Sequence, residues 1–458
     1  MARPARSVPA RTLYVDIPIR GRALRTLRAM DMPVTERRLA PHILVFATAR
    51  WQLAARIAIH FADCGCQVDV LVPRGHPAEC VAAVRDIHRY NPLAPQASVV
   101  AALQVSRADF VVPCDDAAAL HLHELHRRWS LEGVGYASLL ALLERSLGNV
   151  EACFLAGSRS RFMDLARAAG VRTPPSAAVH SVEEVRDWGR THGMPLVLKS
   201  DYSFGGRGVV LARDHHEVEA AWHSLTRRPG IGESVLRALL DRDADRLRDW
   251  HRPPVESLMV QAAIRGQPAN RAVACWEGEV LAGVSVEALR TQHATGPATV
   301  VRIVNSGEME ETARRLVRQL GVSGFVGFDF MVEATSGAAY LIEMNVRATP
   351  SCHLPSTHGS TLASALLARM QGKSVPPPRA RVSPGVVVMF PGEFRADPSS
   401  PYLQAAGHDV PWEHPALVRD GLDVPWEERG LLARWRRRWR TPRDVAAHRR
   451  PDTLVGAD

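Results

Sequence analysis

Lysine is almost missing from this chain: Lys199 and Lys373 are the only two, so 55 of its 57 basic residues are arginine. A bias of that size is a drift across the whole sequence, so arginine clusters carry little argument and a retained lysine carries more. Apolar runs are short, and none approaches the roughly 18 residues that a membrane-crossing helix needs. The Arg-rich N-terminus, from Ala2 to about Arg28, lacks the uninterrupted apolar stretch and small-residue cleavage site of a secretory signal, and the expected location is the cytoplasm. Seven cysteines, an odd number spread over 458 residues, make no disulfide framework. Cys64 and Cys66 are the one close pair, and with no second pair nearby their CxC spacing reads as two reduced, buried thiols and not as a zinc site. Internal repeats are missing too, as are the GxGxxG of a dinucleotide fold and the GK[ST] of a P-loop.

What is present is the make-up of an ordinary globular protein, with 46% hydrophobic and 23% charged residues, long enough for about three units. The net charge of +9 leaves nucleic acid, an anionic lipid surface and small anionic substrates open as partners. Residues 1–41 read as an Arg- and Pro-rich arm. From 42 to 148 the pattern is βαβ: a strand at Ile43 to Phe46, a helix at Trp51 to Ala62, strands at Val68 to Val72 and Phe110 to Pro113, then a helix carrying Leu120, Leu122 and Leu125. That succession predicts an open parallel sheet. A second unit starts near Asn149, with a helix from Ser158 to Ala169, a capping pattern at Ser181 and Glu184, and a short buried strand ending at Lys199. The charged stretch from Arg227 to Pro254 looks like a helical insertion. Strands follow at Leu258 to Ala263, Asn270 to Trp276 and Val280 to Val286, the last two joined by a turn at Glu277-Gly278-Glu279. A helix at Met309 to Leu320 leads to a strand at Phe325 to Val332, whose partner is Tyr340 to Met344. Beyond Pro376-Pro377-Pro378 lies a basic Trp- and Pro-rich extension, in which Trp435 and Trp439 flank three arginines; packing on the protein body is the favoured reading for it over docking on an anionic polymer.

Two groups of residues carry chemistry. Asp329 is followed by Glu343 and Asn345, and if their segments form a hairpin, alternation puts all three on one face of a sheet. Two carboxylates and an amide suit Mg2+ that keeps waters and nucleotide phosphate oxygens among its ligands. Both acids sit in otherwise apolar strands, where an unpaired charge is costly, which argues against a plain solvent-facing hairpin. Arg347, two residues on, shares that face and would meet developing negative charge. The second group is Lys199 with the glycine loop Ser203, Gly205, Gly206 and Gly208, whose backbone N–H groups can approach phosphate oxygens while the lysine adds a point charge. Other candidates are weaker: Cys352 with His353 as a reactive pair, His353 or His358 in a substrate loop, and Arg271 or Arg302 for a substrate carboxylate.

In this order and spacing the two groups resemble the ATP-grasp superfamily, over roughly residues 42 to 375. The resemblance implies an α/β fold, with α+β character in the nucleotide lobes: an N-terminal open parallel sheet over 42–148, a two-lobed domain over 149–375 divided near 257, and an extension over 376–458. It casts Lys199 as a nucleotide lysine beneath the glycine lid and Arg159 where many members place a first nucleotide lysine. It makes the segment of Gln261, Ala263 and Ile264 the strand whose backbone meets adenine, although Ala262 and Ala263 supply no acid for the ribose. Asp329, Glu343 and Asn345 become metal ligands and Lys199 and Arg347 catalytic residues, with ATP and Mg2+, or Mn2+, as cofactors. The implied activity is an ADP-forming ligase that joins a small carboxylate to a nucleophile, commonly an amine, through an acyl phosphate. A kinase on the same fold and a basic ATP-binding module docking on nucleic acid or anionic lipid are the alternatives; nucleic acid is not the expected partner, and oligomeric state stays open.

Overall fold

A computed structural model describes residues 40–132, 135–201, 208–241, 255, 257–292, 296–355, 361–374, 385–424, 426 and 429. All of these belong to one compact unit, Ala40–Asp458. Of the sequence expectations, the arm to Leu39, Ser203, Gly205, Gly206, His358, the end of the 227–254 insertion and the Trp435 to Trp439 segment lie outside them.

The chain opens with β1 (His42–Phe46), α1 (Gln52–Asp63), β2 (Gln67–Val72), β3 (Val84–Arg89), α2 (Pro95–Ser106), β4 (Phe110–Pro113), α3 (Asp116–Glu132) and α4 (Ala137–Leu147). The four strands make a parallel sheet in the order β3-β2-β1-β4. Every residue of β1 and β4 is buried, as continuous apolar strands covered by helices on both faces should be. The sequence pattern missed β3, because Val84-Arg-Asp-Ile-His-Arg89 is charged and largely exposed. It can be so because it is the edge of the sheet, where one side needs no apolar neighbour. β1 sends the chain one way to β2, while β4 returns on its other side, so the carboxyl ends of β1 and β4 flank the crevice where open sheets of this kind build sites.

Next come α5 (Glu151–Gly157), α6 (Arg159–Ala168), β5 (Ser176–Val179), α7 (Val182–His192), β6 (Leu196–Ser200), β7 (Val209–Ala212), α8 (Glu217–Thr226), α9 (Ile231–Asp241) and β8 (Leu258–Ala262). Their strands form an antiparallel sheet in the order β5-β8-β6-β7, which puts Lys199 of β6 opposite Val209 on one side and Met259 on the other. Ser181 caps α7 by accepting from Glu184 N–H at 3.2 Å, while the Glu184 carboxylate reaches back one residue beyond the cap, to His180 N–H at 2.8 Å.

The third sheet is built from β9 (Gly266–Trp276), β10 (Glu279–Thr291), β11 (Ala298–Val304), β12 (Gly324–Glu333), β13 (Ala339–Asn345), β14 (Val386–Val388) and β15 (Gly407–His408), with α10 (Gly307–Leu320) between β11 and β12 and α11 (Leu362–Met370) after β13. Its order is β13-β12-β9-β10-β11-β14-β15, so the segment after residue 376 adds the last two strands. Glu277 and Gly278 have φ of 46° and 83°, the left-handed pair that a two-residue hairpin requires. Alternation then divides the sheet into two faces. Ala269, Val273, Cys275, Phe328 and Phe330 pack with Met309, Ala313 and Leu316 of α10, whereas Ala272, Ala274, Val284 and Val286 pack with α1 and α11.

Candidate active site

The β12–β13 hairpin sets Asp329 directly opposite Glu343, and Gly327 opposite Asn345, so the three polar side chains share the face away from α10. The register steps once between Asp329 and Phe330, which leaves Ile342 as the extra residue of a bulge. That step lets Leu341 go into the α10 core although it lies two residues from Glu343. Asp329 is gripped from both sides: Asn270 Nδ2 donates to its Oδ1 at 2.7 Å and Asn345 Nδ2 to its Oδ2 at 2.8 Å. Burial, and then the facing charge of Glu343, pushes its carboxyl up to about 6 against those two amides. Asn270 is the neighbour of Asp329 on β9 and takes the Ser351 hydroxyl on its own Oδ1. A Cβ on Gly327 would lie 2.2 Å from Thr349 Cγ2, so glycine there is what allows the turn after β13 to lie against β12.

Cations arrive from the other lobe. Lys199 is buried on β6, and its Nζ donates to the bulged Ile342 carbonyl at 3.3 Å. Burial, with Arg159 nearby, pulls its ammonium down to about 8, while Glu343 and Asp329 act to raise it. Arg159 opens α6, where its N–H donates to Asp201 Oδ1 at 3.0 Å and Ser158 donates to Asp201 Oδ2 at 3.1 Å. Its guanidinium donates to the carbonyls of Ser200 and Gly208, which bracket the glycine loop, and to Glu343 Oε2 at 3.3 Å. Arg347 lies past the end of β13 and is also buried. Its Nε stands 2.8 Å from Asp116 Oδ1, and its terminal nitrogens donate to Asn345 Oδ1 and the Ala348 carbonyl, both at 3.1 Å.

The structure therefore brings Lys199, Arg159, Asp329, Glu343, Asn345 and Arg347 together. Gly208 directly precedes β7. Gln261, Ala263 and Ile264 fall at the end of β8, but the Gln261 amide turns inward to Met163 Sδ and the Ala263 N–H donates to the Pro195 carbonyl at 3.3 Å. Arg271 and Arg302 are not brought in. Arg271 points to the α10 face, where it donates to Ser285 Oγ at 2.8 Å and lies 3.6 Å from Glu310; Arg302 pairs with Glu287 at 3.6 Å. Cys352 and His353 do not form a reactive pair. His353 Nε2 is 2.6 Å from Asp409 Oδ2, and burial pushes the Cys352 thiol up to about 11. Sequence reasoning missed Asn270, Asp201 and Asp116, each joined to its partner only by the fold.

The donor set fits a nucleotide-borne divalent cation. Among the described residues no group of three or more His, Cys, Asp or Glu could hold a metal, and a pair of facing carboxylates with an amide is what Mg2+ uses when phosphates complete its shell. The raised Asp329 carboxyl is the strain that a cation between the two acids would relieve.

Residues 158–368 match the sequence family described as carbamoyl-phosphate synthase L chain, ATP binding domain. The carbamoyl phosphate synthase large chain of Deinococcus radiodurans is 24% identical over 293 residues, covering 63% of this chain and 26% of that protein. The large chain of Thermus thermophilus is 26% identical over 247 residues, covering 52% and 21%. This chain thus spans about a quarter of the length of such relatives. Among solved structures, the biotin carboxylase domain dimer of Hydrogenobacter thermophilus 2-oxoglutarate carboxylase, in complex with MgADP, ADP and bicarbonate, superposes with a TM-score of 0.55 at 17% identity, over 75% of this chain and 73% of that one. Carboxyaminoimidazole ribonucleotide synthase from Aspergillus clavatus, complexed with ATP, gives 0.55 at 17% identity over 76% and 81%.

Proposed function

We propose that the chain is a member of the ATP-grasp superfamily and, on that premise, an ADP-forming ligase that activates a small carboxylate as an acyl phosphate and couples it to an amine. The observation that carries this reading is the meeting of Lys199 and Arg159 from one lobe with the facing Asp329 and Glu343 of the other. Adenine would lie at the end of β8, where Ala263 has already committed its N–H to Pro195 and the donor left for the base is Ile264. Asp329, Glu343 and Asn345 would hold Mg2+, which when bound neutralises charge on the transferring phosphoryl group.

In the first step a carboxylate oxygen of the substrate attacks the γ-phosphorus, the bond to the bridging oxygen breaks and ADP leaves. Lys199 serves here as a fixed ammonium at the phosphates, its stem packed and its Nζ already aimed across the cleft. In the second step the amine nitrogen attacks the carbonyl carbon, the carbon–oxygen bond to phosphate breaks and a proton is lost from nitrogen. Arg347 meets the oxyanion formed in between, because a guanidinium has five N–H groups and only two are engaged, by Asn345 and Ala348, while Asp116 lies against Nε as an ion-pair partner. ADP and phosphate release, screened against pools of carboxylates and amines with mass spectrometry of the product, tests the reading. A coupled amide supports it; a stable phosphorylated alcohol with no free phosphate would replace it with a kinase.

A further inference from the structure

We propose that Asp116, the first residue of α3, is the positioning residue for Arg347, so that the N-terminal parallel sheet takes part in the chemistry of the nucleotide-binding lobes. The proposal rests on the role given to Arg347 above. Arg347 lies at the end of a long, flexible side chain, and a guanidinium that must meet an oxyanion has to be held from behind. Two of its holders are near in sequence, Asn345 and Ala348, and fix only the terminal nitrogens. Among the described residues Asp116 is the ion-pair partner on the Nε side, at 2.8 Å, with the two side chains only 9% and 17% exposed. One N–H on each terminal nitrogen is then left over for the substrate.

The backbone that carries Asp116 is tied down on both sides of the contact. The preceding Asp115 carboxylate accepts from Thr48 N–H, Thr48 Oγ1, Ala49 N–H and Ala118 N–H at 2.6 to 3.0 Å, which ties the start of α3 to the end of β1. Ala348 N–H donates to the Pro113 carbonyl at 3.0 Å, so the exit of β13 is stitched to the end of β4 beside it. The crevice at the carboxyl ends of β1 and β4 is therefore filled by the segment after Asn345, and the acid it presents there is Asp116. Asp116 touches the guanidinium directly, whereas Asp329 is joined to it only through Asn345. Without Asp116 the remaining pull on Arg347 comes from Asp329 and Glu343, the two acids assigned to the metal. The guanidinium would turn toward them and away from the reacting carbonyl.

Asp116→Asn keeps the shape and removes the charge. With the carboxylate that elicits ADP release, it should lower kcat about tenfold or more in the full-length protein, and Asp116→Glu should recover most of the loss. In an Arg347→Lys background the same Asn substitution should change kcat by less than about twofold, since an effect carried by Arg347 has nothing left to act on. Losses that multiply in the double variant, or a Glu form no better than the Asn form, overturn the proposal. A readout independent of turnover is the arginine Nε–H resonance that disappears in Arg347→Lys: its solvent exchange should accelerate about tenfold in Asp116→Asn, and unchanged exchange overturns the contact. If no carboxylate elicits ADP release, the ligase reading is what has failed, and the resonance still decides whether Asp116 holds Arg347.

Discussion

The two faces of the seven-stranded sheet are one residue apart along the same strands, and they treat polar side chains in opposite ways. On the face toward α10, Arg271 is buried against one hydroxyl and one distant carboxylate, and burial pulls its guanidinium down from the ordinary range. On the other face Asn270, its immediate neighbour, belongs to a chain of contacts running from Ser351 through Asn270, Asp329 and Asn345 to Arg347 and Asp116. The first face tolerates a charge; the second organises several. The difference lies in what packs on each side: α10 brings an apolar stripe to the first face, whereas the second is apolar where Ala272 and Ala274 meet α1 and α11 and turns polar at Asn270, Asp329 and Asn345, where Ser351 and, through Arg347, Asp116 supply partners from other elements.

The most severe way to break the polar face is to remove one of its facing charges. Glu343→Gln keeps size and hydrogen-bonding capacity, removes the charge that Glu343 offers Arg159 and leaves one carboxylate for the cation. ADP release at saturating Mg2+ should fall about a thousandfold, several kcal/mol of charge stabilisation, with the unfolding midpoint little changed. Near-normal turnover would remove Glu343 from the site. Lys199→Arg should come next. Lys199 is 4% exposed and its Nζ is fitted to a single carbonyl of β13, a space that a planar fork cannot enter without displacing its surroundings. MgADP affinity measured by calorimetry should drop about a hundredfold, and an unaltered affinity would return Lys199 to a purely structural part.

How far the sequence could be read follows the same division. Asp329, Glu343 and Asn345 were legible because acids in apolar strands demand a partner, and period-two alternation says which residues share a face. Arg271 was misread because alternation needs a fixed register: β9 starts at Gly266 and not at Asn270, and nothing local says which of two adjacent polar residues looks into the cleft. The bulge at Ile342 was hidden for a similar reason, since simple alternation from Glu343 would have sent Leu341 to the polar face. Asp116 and Asp201 carried no local signal at all, because their partners come from other elements. The parallel order of the first sheet was readable from its βαβ succession, but its edge strand β3 was not, because an exposed edge needs no apolar pattern.

A paired substitution sharpens the contrast between the faces. Asn270→Ala strips Asp329 of one of its two amide donors and leaves the Ser351 hydroxyl only Thr349 at 3.4 Å; the Mg2+ concentration for half-maximal ADP release should rise about tenfold. Arg271→Met, next to it, exchanges a buried charge for an apolar chain of similar length. Turnover should stay near that of the wild type and stability should change by less than about 1 kcal/mol, or rise, because an ill-paired buried charge is replaced by packing. The reverse pattern, with Arg271→Met damaging turnover and Asn270→Ala silent, would mean that the faces have been assigned the wrong way round.

The smallest expected effect is a pH dependence that belongs to the polar face alone. Lys199 in the free protein titrates at about 8 because it is buried beside Arg159, and Asp329 at about 6 because it is buried opposite Glu343. Nucleotide phosphates favour the ammonium, so the lysine pKa rises on binding. Below about 8 the proton is already in place and costs nothing further; above it, binding must take up a proton, and MgADP affinity should fall, approaching about tenfold per pH unit. On the acid side the sign is opposite, because a cation between the two acids needs Asp329 ionised. Below about 6 binding must expel a proton, and affinity falls again as the pH drops. The result is a maximum between the two values. Calorimetry in buffers of different ionisation enthalpy should register proton uptake on the alkaline limb and release on the acid limb. Arg271→Met should leave both limbs in place, since its face holds neither group. An affinity that stays flat from about pH 7 to about pH 9 would show that Lys199 does not meet the phosphates as an ammonium drawn from a mixed population.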